Sequence, residues 1–324
     1  MSLPLLSPFL AFLVSFLLLQ ALLRHDIAQA VLDQPNERSL HQHPVPRIGG
    51  IALMAGVGVG WIAVGGPNAW LLLAFVGALV SVSVLDDWRG LPIAWRFITH
   101  TLVAVAYLFV AVSGDVGILV LFVLCIGIIW MINLYNFMDG SDGLAGGMTL
   151  IGFGCYGFAA WLGGDHEMLL LNLCVATATA GFLLFNFHPA KVFLGDGGSI
   201  PLGFLAATMG LIGWERGVWP SWFPLLVFSP FIVDATVTLL KRFVRGEKIW
   251  RAHRDHYYQR LILLGHGHRK TALLEYALMI AAGLSALWGT LQSAMTQVLL
   301  LGAWALIYLA LAHAVDRRWR NAKK

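Results

Sequence analysis

Hydrophobic residues in this chain come in long unbroken stretches, at about 3–23, 48–66, 69–85, 95–113, 116–132, 144–162, 168–186, 199–214, 223–240, 272–289 and 296–313. Each is close to the ~20 residues an α-helix needs to cross a bilayer. Connectors as short as Gly66-Pro67-Asn68 and Gly114-Asp115 predict hairpins of antiparallel helices. The two-residue alternation of a membrane β-barrel is missing from these runs. The pattern predicts an all-α polytopic membrane protein of about 11 transmembrane helices, forming one integral membrane domain over 1–324. The count falls to ten if the glycine-rich run 199–214 is broken or re-entrant. The longest polar connection is 241–271.

Composition sharpens this picture. The 324 residues are 59% hydrophobic and 12% charged, against roughly 25% charged in soluble domains. Eleven spans use about 220 positions and leave about 100 for loops and ends, too few for a sizeable soluble domain. Cys125, Cys155 and Cys174 lie inside apolar runs without paired spacing and read as small buried hydrophobes. The opening MSLPLLSPFLAFLVSFLLLQALL lacks an early basic region and a small-residue cleavage site, so it reads as a retained first span.

The net charge of +4 matters less than where the basic residues fall, and it calls for no nucleic-acid partner. Eleven spans divide the connections into two sets. One set carries Arg24, Arg38, Arg47, Arg89, Arg96, Lys191, the nine basic residues from Lys241 to Lys270 and the five from Arg317 to Lys324; the other carries only Arg216. By the positive-inside rule the first set faces the cytoplasm, with the N-terminus outside and the C-terminus cytoplasmic.

Acidic residues gather at the ends of spans on that same side: Asp86, Asp87, Asp139, Asp142 and Asp196. Any one of them can be read as a helix cap at the interface, but charges at membrane depth are costly and commonly line an aqueous cleft. In LDDWRG (85–90) the adjacent carboxylates can serve one cleft only near a helix end, which Gly90 and Pro92 supply. In NLYNFMDGSDG (133–143), Asn133, Asn136 and Asp139 are three apart on one helix face, and Asp142 follows a glycine. FLGDGGS (193–199) sets Asp196 among three glycines before Ser199, a turn suited to phosphate. Carboxylate and amide oxygens meeting phosphate oxygens suit Mg²⁺, a hard ion that prefers oxygen ligands.

The segment 245–270 holds seven basic residues, four histidines and Tyr257-Tyr258. Charge alone reads as attraction to anionic lipid. His253, Arg254, His256 and Arg260 add directional donors that a lipid anchor does not need. His253 and His256 lack the cysteines of a common zinc site.

These motifs, in this order and spacing, resemble the polyprenyl-phosphate N-acetylhexosamine-1-phosphate transferases, which include the enzymes that initiate O-antigen, enterobacterial common antigen and teichoic acid synthesis and the enzyme of the first peptidoglycan lipid intermediate. The similarity runs from Asp33-x-Pro-Asn-Glu-Arg-x-x-His41 and Pro46-Arg47-x-Gly-Gly50 through Asp86-Asp87, Asn133-x-x-Asn136-x-x-Asp139-Gly-x-Asp142-Gly and Gly195-Asp196-x-Gly-Ser199 to the histidine segment. The resemblance implies transfer of a sugar-1-phosphate from a UDP-N-acetylhexosamine to undecaprenyl phosphate, with release of UMP. It implies Mg²⁺, replaceable by Mn²⁺, at Asp196 and Asp87. It also implies catalytic roles for Asp86, Asp87, Asp196 and His256, and substrate contacts from Asn133, Asn136, Asp139, Asp142, His253, Arg254 and Arg260. Where the family commonly has His-x-His-His, this chain has Tyr257, Tyr258 and Gln259 after His256, which points to the O-antigen or exopolysaccharide branch.

The resemblance further implies a bacterial inner membrane location with the active site facing the cytoplasm, a role in lipopolysaccharide biosynthesis, a homodimer as one admissible assembly, and downstream membrane glycosyltransferases as partners. A phosphate monoester with a second pKa near 6 is mostly dianionic at pH 7 and scarcely needs a base. Asp86 or Asp87 is therefore open to three roles: orienting the lipid phosphate, accepting its residual proton, or helping to hold metal. Direct attack is favoured over a covalent aspartyl-phosphate. Two other readings stand beside this one: a phospho-MurNAc-pentapeptide transferase and a secondary transporter. A transporter would place its polar groups nearer the membrane midplane.

Overall fold

The computed structural model describes residues 3–24, 31–35, 40, 43–90, 92–112, 116–248 and 253–322; the side chains of Asp87, Trp88 and Ile93 lie outside the description. Every apolar run is helical. In chain order the helices are α1 (Leu3–Leu22), α2 (Gly49–Val64), α3 (Pro67–Arg89), α4 (Ile93–Ala111), α5 (Ile118–Phe137), α6 (Leu144–Leu162), α7 (His166–Asn186), α8 (Asp196–Glu215), α9 (Trp222–Val227), α10 (Ser229–Val244), α11 (Tyr257–Leu261), α12 (Gly267–Thr290) and α13 (Ala294–Ala322). Among the described residues, nine helices are long and apolar enough to cross a membrane, counting α11 to α12 as one stretch, and α2 is a shorter apolar helix. Among the described residues, the exception to the all-α expectation is a two-residue antiparallel ladder in the first loop, β1 (Leu32–Asp33) with β2 (Val45–Pro46).

Two details depart from the sequence reading. First, a break falls in 223–240, between α9 and α10 at Phe228, whereas the glycine-rich run 199–214, broken only in the ten-span alternative, is one unbroken helix. Pro230 sits in the first turn of α10, where its missing N–H cannot continue the ladder from α9. Second, 241–271 is not all loop. It turns helical at Tyr257 and runs through a kinked turn, Ile262–His266, into α12; Gly265 absorbs the kink at φ +93°. Polar residues hid this helix because Gln259 and Arg260 are buried along with the two tyrosines.

Helix α8 is the centre of the bundle: 89% of its most apolar window is buried, against 6% for the peripheral α13. It packs against α3 and α5, while α1 packs against α2 and α7. Close approach there depends on small residues, since a Cβ on Gly56 would lie 2.5 Å from the Ala11 carbonyl oxygen. At one end of the bundle Arg216 pairs with Asp165 (2.7 Å) and Glu167 (2.8 Å), and Asn68 donates to Glu167 (3.0 Å). All the aspartate motifs lie at the other end.

Candidate functional site

The motif end is built from helix termini and tight loops. Helix α3 closes on Gly90, whose left-handed backbone (φ +62°) lets its N–H reach the Asp86 carbonyl. This leaves Asp86 in the last turn. Helix α8 starts at Asp196 directly after Gly195 (φ +69°). The N-terminus of α2 is clamped to the strip before α8: Gly49 N–H donates to Phe193 O (2.9 Å) and Gly50 N–H to Leu194 O (2.8 Å). A Cβ on Gly50 would fall 2.2 Å from the Gly198 nitrogen, so the Gly49-Gly50 pair is required by backbone contact.

A cleft of about 270 Å³ opens at this end, lined by Asp33, Arg47, Asn136, Asp139, Ser141, Asp142, Asn186, Asp196, Gln259 and His268 among others. The Asp196 carboxylate is held from two sides. Arg96, from the start of α4, donates through Nη2 at 2.5 Å, and Asn136 donates through Nδ2 at 2.7 Å and also reaches Ser199 Oγ at 3.0 Å. The same guanidinium meets Asp86 through Nε at 3.1 Å. Arg47 pairs with Asp33 at 2.7 Å.

Asp139 faces Asp196. Burial, followed by the Asp196 charge, raises the Asp139 carboxyl well above the usual carboxylate range, while Arg47 and a hydrogen bond from the Gly195 N–H oppose the rise. Among the described residues no three His, Cys, Asp or Glu side chains converge on a metal position. Two carboxylates lining one polar cleft nevertheless fit a hard divalent ion that takes its remaining oxygens from water and substrate phosphates. Among the described residues, Asp139 and Asp196 are the carboxylates whose position suits such an ion.

Asp142 does a different job from its neighbours. Its Oδ2 accepts from the Ala190 N–H (3.1 Å) and meets His188 Nδ1 (2.7 Å), tying the α7–α8 connection to the α5–α6 turn. His268, from the start of α12, bonds Ser141 Oγ (3.0 Å) and the Leu40 carbonyl (3.2 Å) and stacks on His188. Asn186 accepts from Gly143 N–H and donates to Val192 O.

The histidine segment docks through a residue the sequence reading passed over. Asp234, on α10, accepts from the N–H groups of Tyr257 (2.9 Å) and Tyr258 (3.0 Å) and meets His256 Nδ1 at 3.2 Å. It thus caps the start of α11 from another helix. His256 is 3% exposed, stacks between Phe137 and Tyr258, and does not line the cleft. Its N–H donates to Gln259 Oε1 (3.2 Å), and Gln259 is the member of this segment that reaches the cleft. Tyr258 sits beneath the aspartate turn and donates to Phe137 O (3.1 Å).

Of the residues singled out in the sequence, the structure brings together Asp86, Asn136, Asp139, Asp142 and Asp196. Asn133 instead donates back to Ile129 O within its own helix (2.7 Å). Arg260 points away from the cleft to Asp316 on α13 (2.7 Å). The His253 ring lies tilted at 4.9 Å from that of His256, and burial, then His256 and Arg242, lower its pKa to about 4. Arg254 is half-buried, with its Nε unpartnered among the described residues. The Asp87 side chain and the motif residues 36–39 and 41 lie outside the described residues. Sequence reasoning missed Arg96, Asp234, Gln259 and His268 as site residues. Asp234 carries a signal, being an acid inside an apolar run; Arg96, at a helix start, reads in the sequence only as a topological charge.

Comparison with known proteins gives a consistent result. The family described as Glycosyl transferase family 4 matches residues 69–213. A Bacillus subtilis protein named as a probable undecaprenyl-phosphate N-acetylglucosaminyl 1-phosphate transferase is 30% identical over 273 residues, 79% of this chain and 76% of that protein. The undecaprenyl-phosphate alpha-N-acetylglucosaminyl 1-phosphate transferase of Yersinia pestis is 27% identical over 321 residues, 90% of this chain and 86% of that protein. The decaprenyl-phosphate N-acetylglucosaminephosphotransferase of Mycolicibacterium smegmatis is 32% identical over 290 residues, covering 75% and 71%.

Proposed function

This chain belongs to the polyprenyl-phosphate N-acetylhexosamine-1-phosphate transferases of glycosyl transferase family 4, and on that premise we propose that it moves an N-acetylhexosamine-1-phosphate from a UDP-sugar to undecaprenyl phosphate with release of UMP, at the cytoplasmic face of a bacterial inner membrane. We take UDP-GlcNAc as the first candidate donor, because the names of the three relatives specify N-acetylglucosamine, with deoxygenated relatives such as UDP-N-acetylfucosamine and UDP-N-acetylquinovosamine next. The observation that carries this reading is the placing of Asn136, Asp139 and Asp196 in one cleft, with Asn136 and Arg96 both on the Asp196 carboxylate and Arg96 linking it to Asp86.

In this reading the UDP-sugar pyrophosphate lies over the N-terminus of α8. Arg47 and Arg96 face its charge, and Asn136 keeps the Asp196 carboxylate turned into the cleft. Asp196 and Asp139, with Asp87 as a further candidate, would hold Mg²⁺, or Mn²⁺ in its place, which would neutralise charge at the phosphates and on the leaving UMP. The lipid phosphate, mostly dianionic near pH 7, attacks directly. Asp86, only 10% exposed in its side chain and paired with Arg96, positions that guanidinium and leaves it available to two partners. His256 acts through its cap on α11, which sets Gln259 in the cleft wall, and Arg254 is the loop cation proposed to meet phosphate.

The test is a donor panel. Purified protein, Mg²⁺ and undecaprenyl phosphate are incubated with each UDP-N-acetylhexosamine, and both UMP and the mass of the lipid product are recorded. One donor should yield UMP and a lipid pyrophosphate sugar in equal amounts. Folded protein that forms no such lipid from any UDP-sugar refutes the reading, and preference for UDP-MurNAc-pentapeptide moves the chain to the peptidoglycan-precursor branch.

A further inference from the structure

A second cavity, of about 630 Å³, lies between the ends of α10 and α13 and shares no lining residue with the cleft. Its lining carries Lys241, Arg245, Arg260 and Arg320 against Asp255 and Asp316, over an apolar floor that includes Leu240, Val244 and Trp319. Both acids are already occupied: Asp255 pairs with Arg242, and Asp316 takes both Lys241 and Arg260. Arg260 is 95% buried by its 5% side-chain exposure, and its Nε has no partner among the described residues. That N–H is sealed from the cavity, so the case for an anion rests on charge: four cations face two acids on this lining, and although Arg245 also meets Glu247 (3.0 Å), the recess keeps a positive field that favours an anion.

The neighbouring surface says what kind of anion. Leu240, Phe243 and Val244, on the last turns of α10, are 59%, 69% and 76% exposed. A basic recess joined to exposed apolar side chains at a helix end matches an amphiphile with a negative head. We propose that this cavity binds the headgroup of an anionic phospholipid, its phosphate on Arg245, Arg260 and Arg320 and its acyl chains along Leu240, Phe243 and Val244. The lipid then braces α13 against α11, because Asp316 on α13 already holds Arg260, and Arg260 and Lys241 both lie over the Tyr257 ring. Gln259 of the cleft wall sits on that same helix.

The experiment uses the full chain, delipidated in detergent, with native mass spectrometry to count bound lipid. Dioleoyl-phosphatidylglycerol, dioleoyl-phosphatidylcholine and inorganic phosphate are the probes. Phosphatidylglycerol should be retained in preference to phosphatidylcholine, and Arg245→Gln and Arg320→Gln should each weaken retention about fivefold, the factor expected per basic residue at a membrane surface. Arg245→Lys and Arg320→Lys should retain it, and any transfer activity in lipid-free detergent should be unchanged in all four variants. Equal retention of the two lipids, undiminished phosphatidylglycerol in the double Gln variant, or displacement of the lipid by equimolar inorganic phosphate would each overturn the proposal. Lipid retention without transfer from any donor would refute the transferase reading alone.

Discussion

Asp234→Asn tests how the histidine segment is held. In the native protein Asp234 Oδ1 accepts from Tyr257 N–H, His256 Nδ1 and Thr238 Oγ1, and Oδ2 accepts from Tyr258 N–H at 3.0 Å. Asparagine keeps the volume and one accepting oxygen, but its NH₂ must then face either the Tyr258 N–H or the Tyr257 N–H, donor against donor. One charge-assisted bond is lost and one buried backbone N–H is orphaned, a cost of about 1.5–3 kcal/mol. Alanine orphans both N–H groups and raises the cost to about 2–6 kcal/mol. Such a loss exceeds what a five-residue helix can recover locally, so α11 should loosen while the bundle stays folded. Hydrogen–deuterium exchange of the 257–261 amides should rise by about 30-fold for a 2 kcal/mol loss. Transfer should fall at least about tenfold as Gln259 leaves the cleft and Tyr258 leaves the underside of the aspartate turn, given the sensitivity of catalysis to small misplacements. Wild-type exchange at Tyr257 and Tyr258 in a folded Asp234→Asn variant would refute the cap, and normal transfer despite rapid exchange would refute its link to the site.

Three more outcomes are expected. Asp196→Asn should lower kcat by about 10²–10³ with little change in thermal stability, since it removes the anion that faces Asp139 while preserving shape; normal turnover would contradict its assigned role. Arg96→Gln should reduce transfer by a similar order and make activity depend more steeply on Mg²⁺, because Asp86 and Asp196 lose their shared counter-charge; an unaltered metal titration would argue against the bridge. His253 is held at about 4 against an ordinary 6.5, so the neutral ring favours the docked state at and above pH 6.5, and that contribution is lost as pH falls towards 4. Limited proteolysis between 245 and 256 should accordingly increase across this window in wild type and much less in His253→Gln; identical profiles would rule out the ring as the cause.

The helical architecture was legible in the sequence because a bilayer imposes length and continuity on apolar runs, and the described runs are helical, with 223–240 divided into two helices at Phe228. The cleft was legible in part for a related reason: Asp86, Asp139, Asp142 and Asp196 interrupt apolar chain ends where charge is expensive, so their presence marks them. Their division of labour was not legible. Asp139 and Asp196 face each other while Asp142 fastens a loop, and nothing in the local pattern NFMDGSDG separates those tasks. Arg96 became a site residue only when α3 and α8 were packed side by side, 100 positions separating it from Asp196. The fate of 257–261 was likewise a tertiary decision. Its tyrosines, Gln259 and Arg260 carry no apolar period, and they form a buried helix because Asp234 on α10 and Asp316 on α13 supply the acceptors. Periodicity records what each segment shows to lipid or water; which polar groups meet across helices depends on packing, and the local sequence does not encode it.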